Sequence, residues 1–161
     1  MLAEKFKMSI TEKLRLLLQE KHIEYKEIDH EAAQTCEISA KARGEDIKIG
    51  GKTLLFKDKK GFHLFVLSAE KQVDSNKVRQ ILKSQKLRFA TEQELQDLCY
   101  VQKGALPPFG KPIYPYDLYL DESILYNEKI AFNAGILTKS FILNTQDYLT
   151  LVCANYSCFA K

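Results

Sequence analysis

Two stretches of this chain hold residues that could do chemistry. The first is Gly50-Gly51-Lys52-Thr53-Leu54-Leu55-Phe56, which sets a lysine at the entrance of an otherwise apolar strand. The paired glycines let the backbone turn tightly and lie open to a ligand. Side chains alternate on a strand, so Lys52 shares a face with Leu54 and Phe56, while Thr53 and Leu55 point the other way. An ammonium on that face must reach water or line a pocket. In a pocket it can hold a phosphate or a developing oxyanion. At a strand end it can equally snorkel to solvent. The second stretch is Gly104-Ala105-Leu106-Pro107-Pro108-Phe109-Gly110. Adjacent prolines exclude a helix interior and a central strand, which leaves a stiff loop between two glycines. Such a loop is either a rigid turn or a pocket wall whose glycine N–H groups face a ligand. Phe109 would offer a flat surface to a base or ribose, or plug the core.

Other chemistries find no support. There is no phosphate loop, no Gly-x-Gly-x-x-Gly opening a helix and no Gly-x-Ser-x-Gly elbow. His22, His30 and His63 lie far apart, without metal-ligand spacing. His22 reads as a helix-end residue and His63 as a core residue of a hairpin. His30 draws more interest because it ends a strand just before Thr35. Cys36, Cys99, Cys153 and Cys158 read as reduced, partly buried thiols. No metal and no cofactor is suggested.

The elements that must position these residues follow from caps and periodicity. Ser9-Ile10-Thr11-Glu12 has capping-box spacing, and Leu14, Leu17 and Leu18 continue a helix to about Lys21. A strand is expected over 23–28. Thr35 can cap a short helix that Gly44 ends. Strands over 52–57 and 62–67 flank the turn Asp58-Lys59-Lys60-Gly61 and make a hairpin. Asp74 is a good N-cap for a helix carrying Val78, Ile81 and Leu82. Leu87 and Phe89 suggest a short strand, and Thr91 with Glu94 a second capping box. Strands are expected over 118–120, 129–133 and 141–143, with a tight turn at Asn133-Ala134-Gly135. Thr145 can cap a last helix, and the tail from Cys153 carries no signal. Interspersed strands and helices, an antiparallel hairpin and irregular spacings predict an α+β fold with a mixed, curved or closed sheet.

With 161 residues, the chain fits one domain over 1–161, and its 45% apolar content is ordinary for a globular protein. No segment has the apolar length of a membrane span, so no membrane partner is expected. Residues 1–7 are charged and lead into no apolar run, so they do not read as a signal peptide, and the expected address is cytoplasmic. The net charge of +3 is unevenly placed. Lys77, Arg79, Lys83, Lys86 and Arg88 share a stretch without acids, whereas Asp117, Asp121, Glu122 and Glu128 lie further on. A local basic face can dock a phosphate backbone. A solvated helix face gives the same pattern.

In order along the chain, these pieces resemble the YbaK/prolyl-tRNA-editing deacylase family, which includes an insertion domain of bacterial prolyl-tRNA synthetases. The matching features are His30 with Thr35, Ala40-Lys41-Ala42-Arg43-Gly44, Lys52-Thr53-Leu54-Leu55-Phe56 and Val66-Leu67-Ser68-Ala69. Asp74 with Lys77-Val78-Arg79, Phe89-Ala90-Thr91 with Glu94-Leu95, the 104–110 loop and Phe132-Asn133-Ala134-Gly135 complete the series. The resemblance covers about residues 30–149. It implies a mixed, largely antiparallel β-barrel-like sheet flanked by helices. It also implies a free-standing trans-editing hydrolase that removes alanine, cysteine, serine or threonine wrongly esterified to tRNA, often prolyl tRNA. On this resemblance Lys52 matches the family's characteristic lysine and carries catalysis. The substrate pocket would draw on His30, Thr35, Leu54, Ser68, Gly104, Pro107, Phe109, Gly110 and Asn133. Lys77, Arg79 and Lys83 would follow the tRNA backbone, and a synthetase would be a further partner. One departure stands out. Many relatives carry a histidine just after the Asn-Ala-Gly turn, where this chain has Ile136, Leu137, Thr138 and Lys139. A non-catalytic module binding aminoacyl-adenosine or a nucleotide is the alternative.

Overall fold

A computed structural model describes residues 8–161, and the reading of residues 1–7 lies outside them. Ser9 caps α1 (Ile10–Glu20), whose Ile10, Leu14, Leu17 and Leu18 are buried at helical spacing. Strand β1 (Tyr25–Asp29) follows. Thr35 caps α2 (Cys36–Arg43), and Gly44 ends it in the left-handed conformation. After a 3₁₀ turn at Ile47–Ile49, β2 (Gly51–Asp58) and β3 (Gly61–Ser68) form the expected hairpin. Asp74 caps α3 (Ser75–Leu82). Beyond β4 (Arg88–Phe89), Thr91 and Glu94 close a reciprocal capping box on α4 (Glu92–Glu94), which runs on as a π-helical turn, Leu95–Cys99.

The second half adds β5 (Asp117–Asp121), α5 (Glu122–Leu125), β6 (Lys129–Asn133), β7 (Lys139–Asn144), α6 (Thr145–Leu151) and β8 (Ala154–Ser157). Two local details differ from the sequence reading. Asn144, not Thr145, caps α6, since its side chain accepts from the Gln146 and Asp147 N–H groups. The tail is also ordered as a strand. Asp121 accepts from the Phe159 and Ala160 backbone and so holds the tail beyond β8 in place.

The strands form two sheets. One is antiparallel with order β1-β7-β6. The other is mixed with order β4-β2-β3-β5-β8, where β3-β5 and β5-β8 run parallel. The α+β class holds, but the barrel-like closure does not. The sheets meet through a single parallel bridge between Gly50 and Ala131. There the Ile130 side chain occupies the place a Gly51 Cβ would need, with Cδ1 2.8 Å from that position. The approach is close but ends after one bridge, so both sheets stay open.

The largest core cluster includes α1, Leu55, Leu64, Val66, Phe132, Phe141, Tyr148 and the 105–109 segment. On the other face of the mixed sheet, α3 packs Val78 and Leu82 on Phe56, Phe65, Leu67 and Phe159. Alternation along β2 is therefore as expected. Leu54 and Phe56 join the α3 side and Leu55 the other.

Candidate functional site

A cavity of about 620 Å³ opens beside β2, within the range of small-ligand sites. Its position follows from the sheet. β4 pairs with β2 only at Phe56 and Lys57, with Ala90 donating to the Leu55 carbonyl. Among the described residues the first half of β2 therefore has no strand on that side. Main-chain groups of one strand residue point to one edge and those of the next to the other. Since the Leu55 carbonyl faces β4, the Thr53 N–H and C=O face the same way, into the cavity. An unpaired strand edge of this kind is a template for a ligand's polar groups. Thr53 is also among the lining residues, although its hydroxyl is buried out of reach and without a partner among the described residues.

Lys52 lines this cavity. Its ammonium donates to the Lys71 carbonyl and pairs with no carboxylate among the described residues. A lysine has three donors, so two remain for a ligand. Thr35 stands on the lining as the cap of α2, its oxygen accepting from Ile38 N at 3.2 Å and its hydroxyl hydrogen left free. Cys36 is there too. Burial pushes its thiol up despite the nearby Lys52, so it stays protonated at neutral pH and is no nucleophile.

Gly104 and Asn133 complete the near wall. Gly104 has φ +92°, and an added Cβ would stand 2.6 Å from the Gln34 carbonyl oxygen. Only glycine lets the loop lie against the segment before α2. Asn133 clamps that junction. Its amide nitrogen donates to the Ala33 and Gly104 carbonyls, both at 2.9 Å. Its amide oxygen accepts from Arg43 Nη2 at 3.2 Å, with Ser140 Oγ also 3.2 Å away. Asn133 therefore borders the cavity with its polar atoms already spent.

The remaining sequence candidates lie elsewhere. Pro107, Phe109 and Gly110 are buried away from the lining. Phe109 is the core plug of its two readings, edge-on to Phe132 and Tyr148 at 5.4 and 5.6 Å. The Gly110 carbonyl accepts from Ile113 and Tyr114, so this end of the loop is a turn and not an amide cradle. Leu106, rather than either proline, reaches the cavity. Ser68 is 1% exposed, donates to the Lys48 carbonyl at 2.6 Å and binds no cavity space. His30 stands behind the wall, bonded to Ser140 Oγ at 2.7 Å and to the Glu31 carbonyl at 2.8 Å. Lys77, Arg79 and Lys83 sit on α3 or at its C-cap, off the lining but on the sheet face that carries the Lys52 side chain. Arg79 is bonded locally, to Gln85 O and Asn76 Oδ1.

Two cavity residues had no role in the sequence reading. Arg43 was quoted only as part of a pattern. A basic residue before a C-cap glycine is ordinary helix-end electrostatics and masks any other use. Phe89 lines the cavity at 52% exposure, stacked on Phe56 at 4.6 Å. The departing segment Ile136–Lys139 touches no cavity space. Leu137 is core, the Leu137 and Thr138 carbonyls accept from Ala33 and His30, and Lys139 pairs with Glu27 and Asp29.

Comparison with known proteins places the chain in a family. Residues 30–151 match the aminoacyl-tRNA editing domain. The chain is 32% identical over 157 residues to the multifunctional Ser/Thr-tRNA deacylase ProXp-y of Escherichia coli strain K12, covering 93% of each. It is 27% identical over 147 residues to the prolyl-tRNA editing protein ProX of Acetoanaerobium sticklandii, covering 88% of this chain and 90% of that one. A solved structure described as a candidate trans-editing enzyme for prolyl tRNA synthetase superposes with TM-score 0.82 at 25% identity, over 96% of this chain and 98% of that one. On this match the chain belongs to the aminoacyl-tRNA editing domain family and is a trans-editing aminoacyl-tRNA deacylase.

Proposed function

We propose that this deacylase removes a small amino acid, with serine or threonine foremost, from a mischarged tRNA. The observation that carries the reading is Lys52, a cation that pairs with no described carboxylate, on a cavity whose lining also holds the Thr35 hydroxyl with its hydrogen free. A free hydroxyl donor is met by a ligand oxygen. A serine or threonine side chain would supply one. The ProXp-y relative is a Ser/Thr-tRNA deacylase, which points the same way. Alanine and cysteine would fit the volume but offer the Thr35 hydroxyl no oxygen. The ProX relative supports prolyl tRNA as a carrier.

An aminoacyl ester is already activated, so positioning does most of the work. Water adds to the ester carbonyl carbon, and the carbonyl π pair moves onto oxygen. The intermediate then collapses, and the terminal ribose oxygen leaves with a proton. Lys52 would draw charge toward the reacting ester as it develops. The Thr53 main chain and the Thr35 hydroxyl would hold the amino acid along the β2 edge. Basic residues Lys77, Arg79 and Lys83 would meet acceptor-stem phosphates beside the mouth, contacts that are salt-sensitive and carry little sequence information.

The test is hydrolysis of prolyl tRNA charged separately with serine, threonine, alanine, cysteine and proline, and of threonyl and seryl tRNA mischarged in turn. Serine or threonine should be lost and proline spared. Lys52→Ala should slow the loss at least ~100-fold, the size of effect seen when one charge-stabilising donor is removed, with the melting temperature unchanged. A Lys52→Ala variant at wild-type rate would take Lys52 out of the mechanism. Ligand binding without turnover in the wild type would leave the binding module.

A further inference from the structure

Arg43 lines the cavity from the last turn of α2. A guanidinium carries five N–H donors and no acceptor. Nε donates to Ser140 Oγ at 2.8 Å and Nη2 to Asn133 Oδ1 at 3.2 Å. Nη1 donates to nothing among the described residues, and no described carboxylate pairs with the group. Both acceptors are neutral. Burial pulls the guanidinium down to about 10, which keeps it charged at neutral pH in surroundings that do not favour the charge. A desolvated cation without an anion costs free energy, and the partial charge of a helix C-terminus answers only a fraction of it.

The surrounding network holds the guanidinium in place without neutralising it. His30 Nδ1 faces the Glu31 carbonyl and must donate to it, so in the neutral ring Nε2 accepts the Ser140 proton. Ser140 Oγ is then free to accept from Arg43 Nε. Asn133 has both amide hydrogens committed to Ala33 and Gly104, which fixes its oxygen toward Nη2. The plane of the fork is thereby set. On its remaining edge the wall is Gly50, whose Cβ position lies 3.6 Å from Nη1 and is crowded by Ala69 Cβ at 2.9 Å and the Ile47 carbonyl oxygen at 3.2 Å. Three residues therefore orient a cation, and none cancels its charge.

We infer that Arg43 is the oxyanion anchor of the cavity, its Nη1 edge binding a negatively charged oxygen of the aminoacylated tRNA end. This rests on the deacylase reading for the identity of the ligand. Two oxygens there share the chemistry. A phosphate oxygen next to the terminal adenosine is charged throughout. The ester carbonyl oxygen becomes charged only as water adds to it. Arginine suits either through charge-assisted, directional hydrogen bonds.

Arg43→Gln and Arg43→Lys separate the cases. Serine release from mischarged tRNA in a single turnover is measured together with binding of adenosine and adenosine 5′-monophosphate and with thermal melting. Arg43→Gln should lower kcat/KM at least 100-fold while its melting temperature holds or rises, because an uncompensated cation has gone. Arg43→Lys should recover about a tenth of the wild-type value, keeping the charge and losing the fork. If the phosphate is the partner, adenosine 5′-monophosphate binds the wild type more tightly than adenosine, and Arg43→Gln abolishes that preference. If the ester oxygen is the partner, nucleotide binding is unchanged and the saturated single-turnover rate carries the loss. Arg43→Gln within threefold of wild type in rate and nucleotide binding, or melting several degrees lower with full activity per folded molecule, overturns the assignment. A wild type that releases no amino acid counts against the deacylase reading instead. The nucleotide comparison then decides Arg43 alone, and no preference for the phosphate overturns it. Should Arg43→Gln not fold, Arg43→Lys is read by the same nucleotide and rate criteria.

Discussion

Two of the buried polar clusters in this fold, one at the hairpin turn and one at the cavity, are built in opposite ways. At the hairpin turn, Asp58 is an anion whose side chain is 0% exposed, yet it is surrounded by donors. Oδ1 accepts from Lys60 N, Gly61 N and His63 Nε2 at 2.9, 3.1 and 2.9 Å, and Oδ2 from Ser84 Oγ at 2.6 Å. Among the described residues, this cluster leaves only His63 Nδ1 without a partner, and in the neutral ring, where Nε2 carries the proton, that nitrogen is a bare acceptor, the cheaper kind of orphan. At the cavity, Arg43 is a cation with two neutral acceptors and an unused nitrogen. The first cluster is complete in itself, and the second is complete only with a ligand. Polar burial that closes on itself marks architecture, and polar burial left open marks a site.

The sharpest way to break this contrast is to open the closed cluster. Asp58→Ala strands two backbone N–H groups, the Ser84 hydroxyl and His63 Nε2 in the interior. Removing one member of a buried charged network costs roughly 3–5 kcal/mol. Urea unfolding should show a loss of about 4 kcal/mol, and deacylation per folded molecule should not change. A loss below 1 kcal/mol, or a fall in the rate, would erase the distinction between the two clusters.

Asn133 is the member of the open cluster that behaves like the closed one, since its polar atoms are all spent. Asn133→Ala takes one donor each from the Ala33 and Gly104 carbonyls and lets Arg43 swing. Two buried hydrogen bonds, each near 1–1.5 kcal/mol, give a loss of about 2–3 kcal/mol. Unlike Asp58→Ala, it should also slow deacylation, since the Gly104 wall and the guanidinium lose their common brace. Unchanged activity in a destabilised Asn133→Ala would show that the clamp serves stability alone.

The same contrast explains what the sequence disclosed. Caps at Ser9, Thr35, Asp74 and Thr91 and the hairpin over Asp58–Gly61 were legible because each is settled within four residues. Asp58 read only as a turn residue, since its bond to Ser84 spans 26 positions. The β8 strand was hidden for a similar reason. Its four residues pair parallel with distant β5 and show no clear alternation. Barrel closure came with the family resemblance, and whether two sheets zip or merely touch depends on packing at Gly51 and Ile130 that no periodicity encodes. At the site, Lys52, Thr35 and Gly104 were legible from residue type on a strand, a cap and a loop. Phe109 and Gly110 were drawn in by proximity to that loop, although the chain turns inward after Leu106. Arg43 escaped because what sets it apart is the absence of an anion around it, and an absence in space leaves no mark along the chain.

Acid titration tests the closed cluster with no change of sequence and the smallest effect. Burial by itself raises the Asp58 carboxyl, but hydrogen bonds from Ser84, His63 and Lys60 N outweigh it and bring the value to about 2, from an ordinary 3.8. The folded value lies below the unfolded one. Its contribution is therefore complete above about pH 4 and drains away as the pH falls through about 2. A displacement of nearly two units corresponds to roughly 2 kcal/mol. Asp121 and Glu27 are also held below the usual carboxylate range and slope the same way, so wild type alone cannot assign the loss. The difference between wild type and Asp58→Asn isolates it. Asparagine keeps an acceptor oxygen and cannot titrate, so the stability gap between the two proteins should narrow by about 2 kcal/mol from pH 5 to pH 2. A gap that stays constant with pH would mean that Asp58 titrates in the fold as it does unfolded, and a gap that widens toward pH 2 would mean that it is held neutral, with no charge to satisfy.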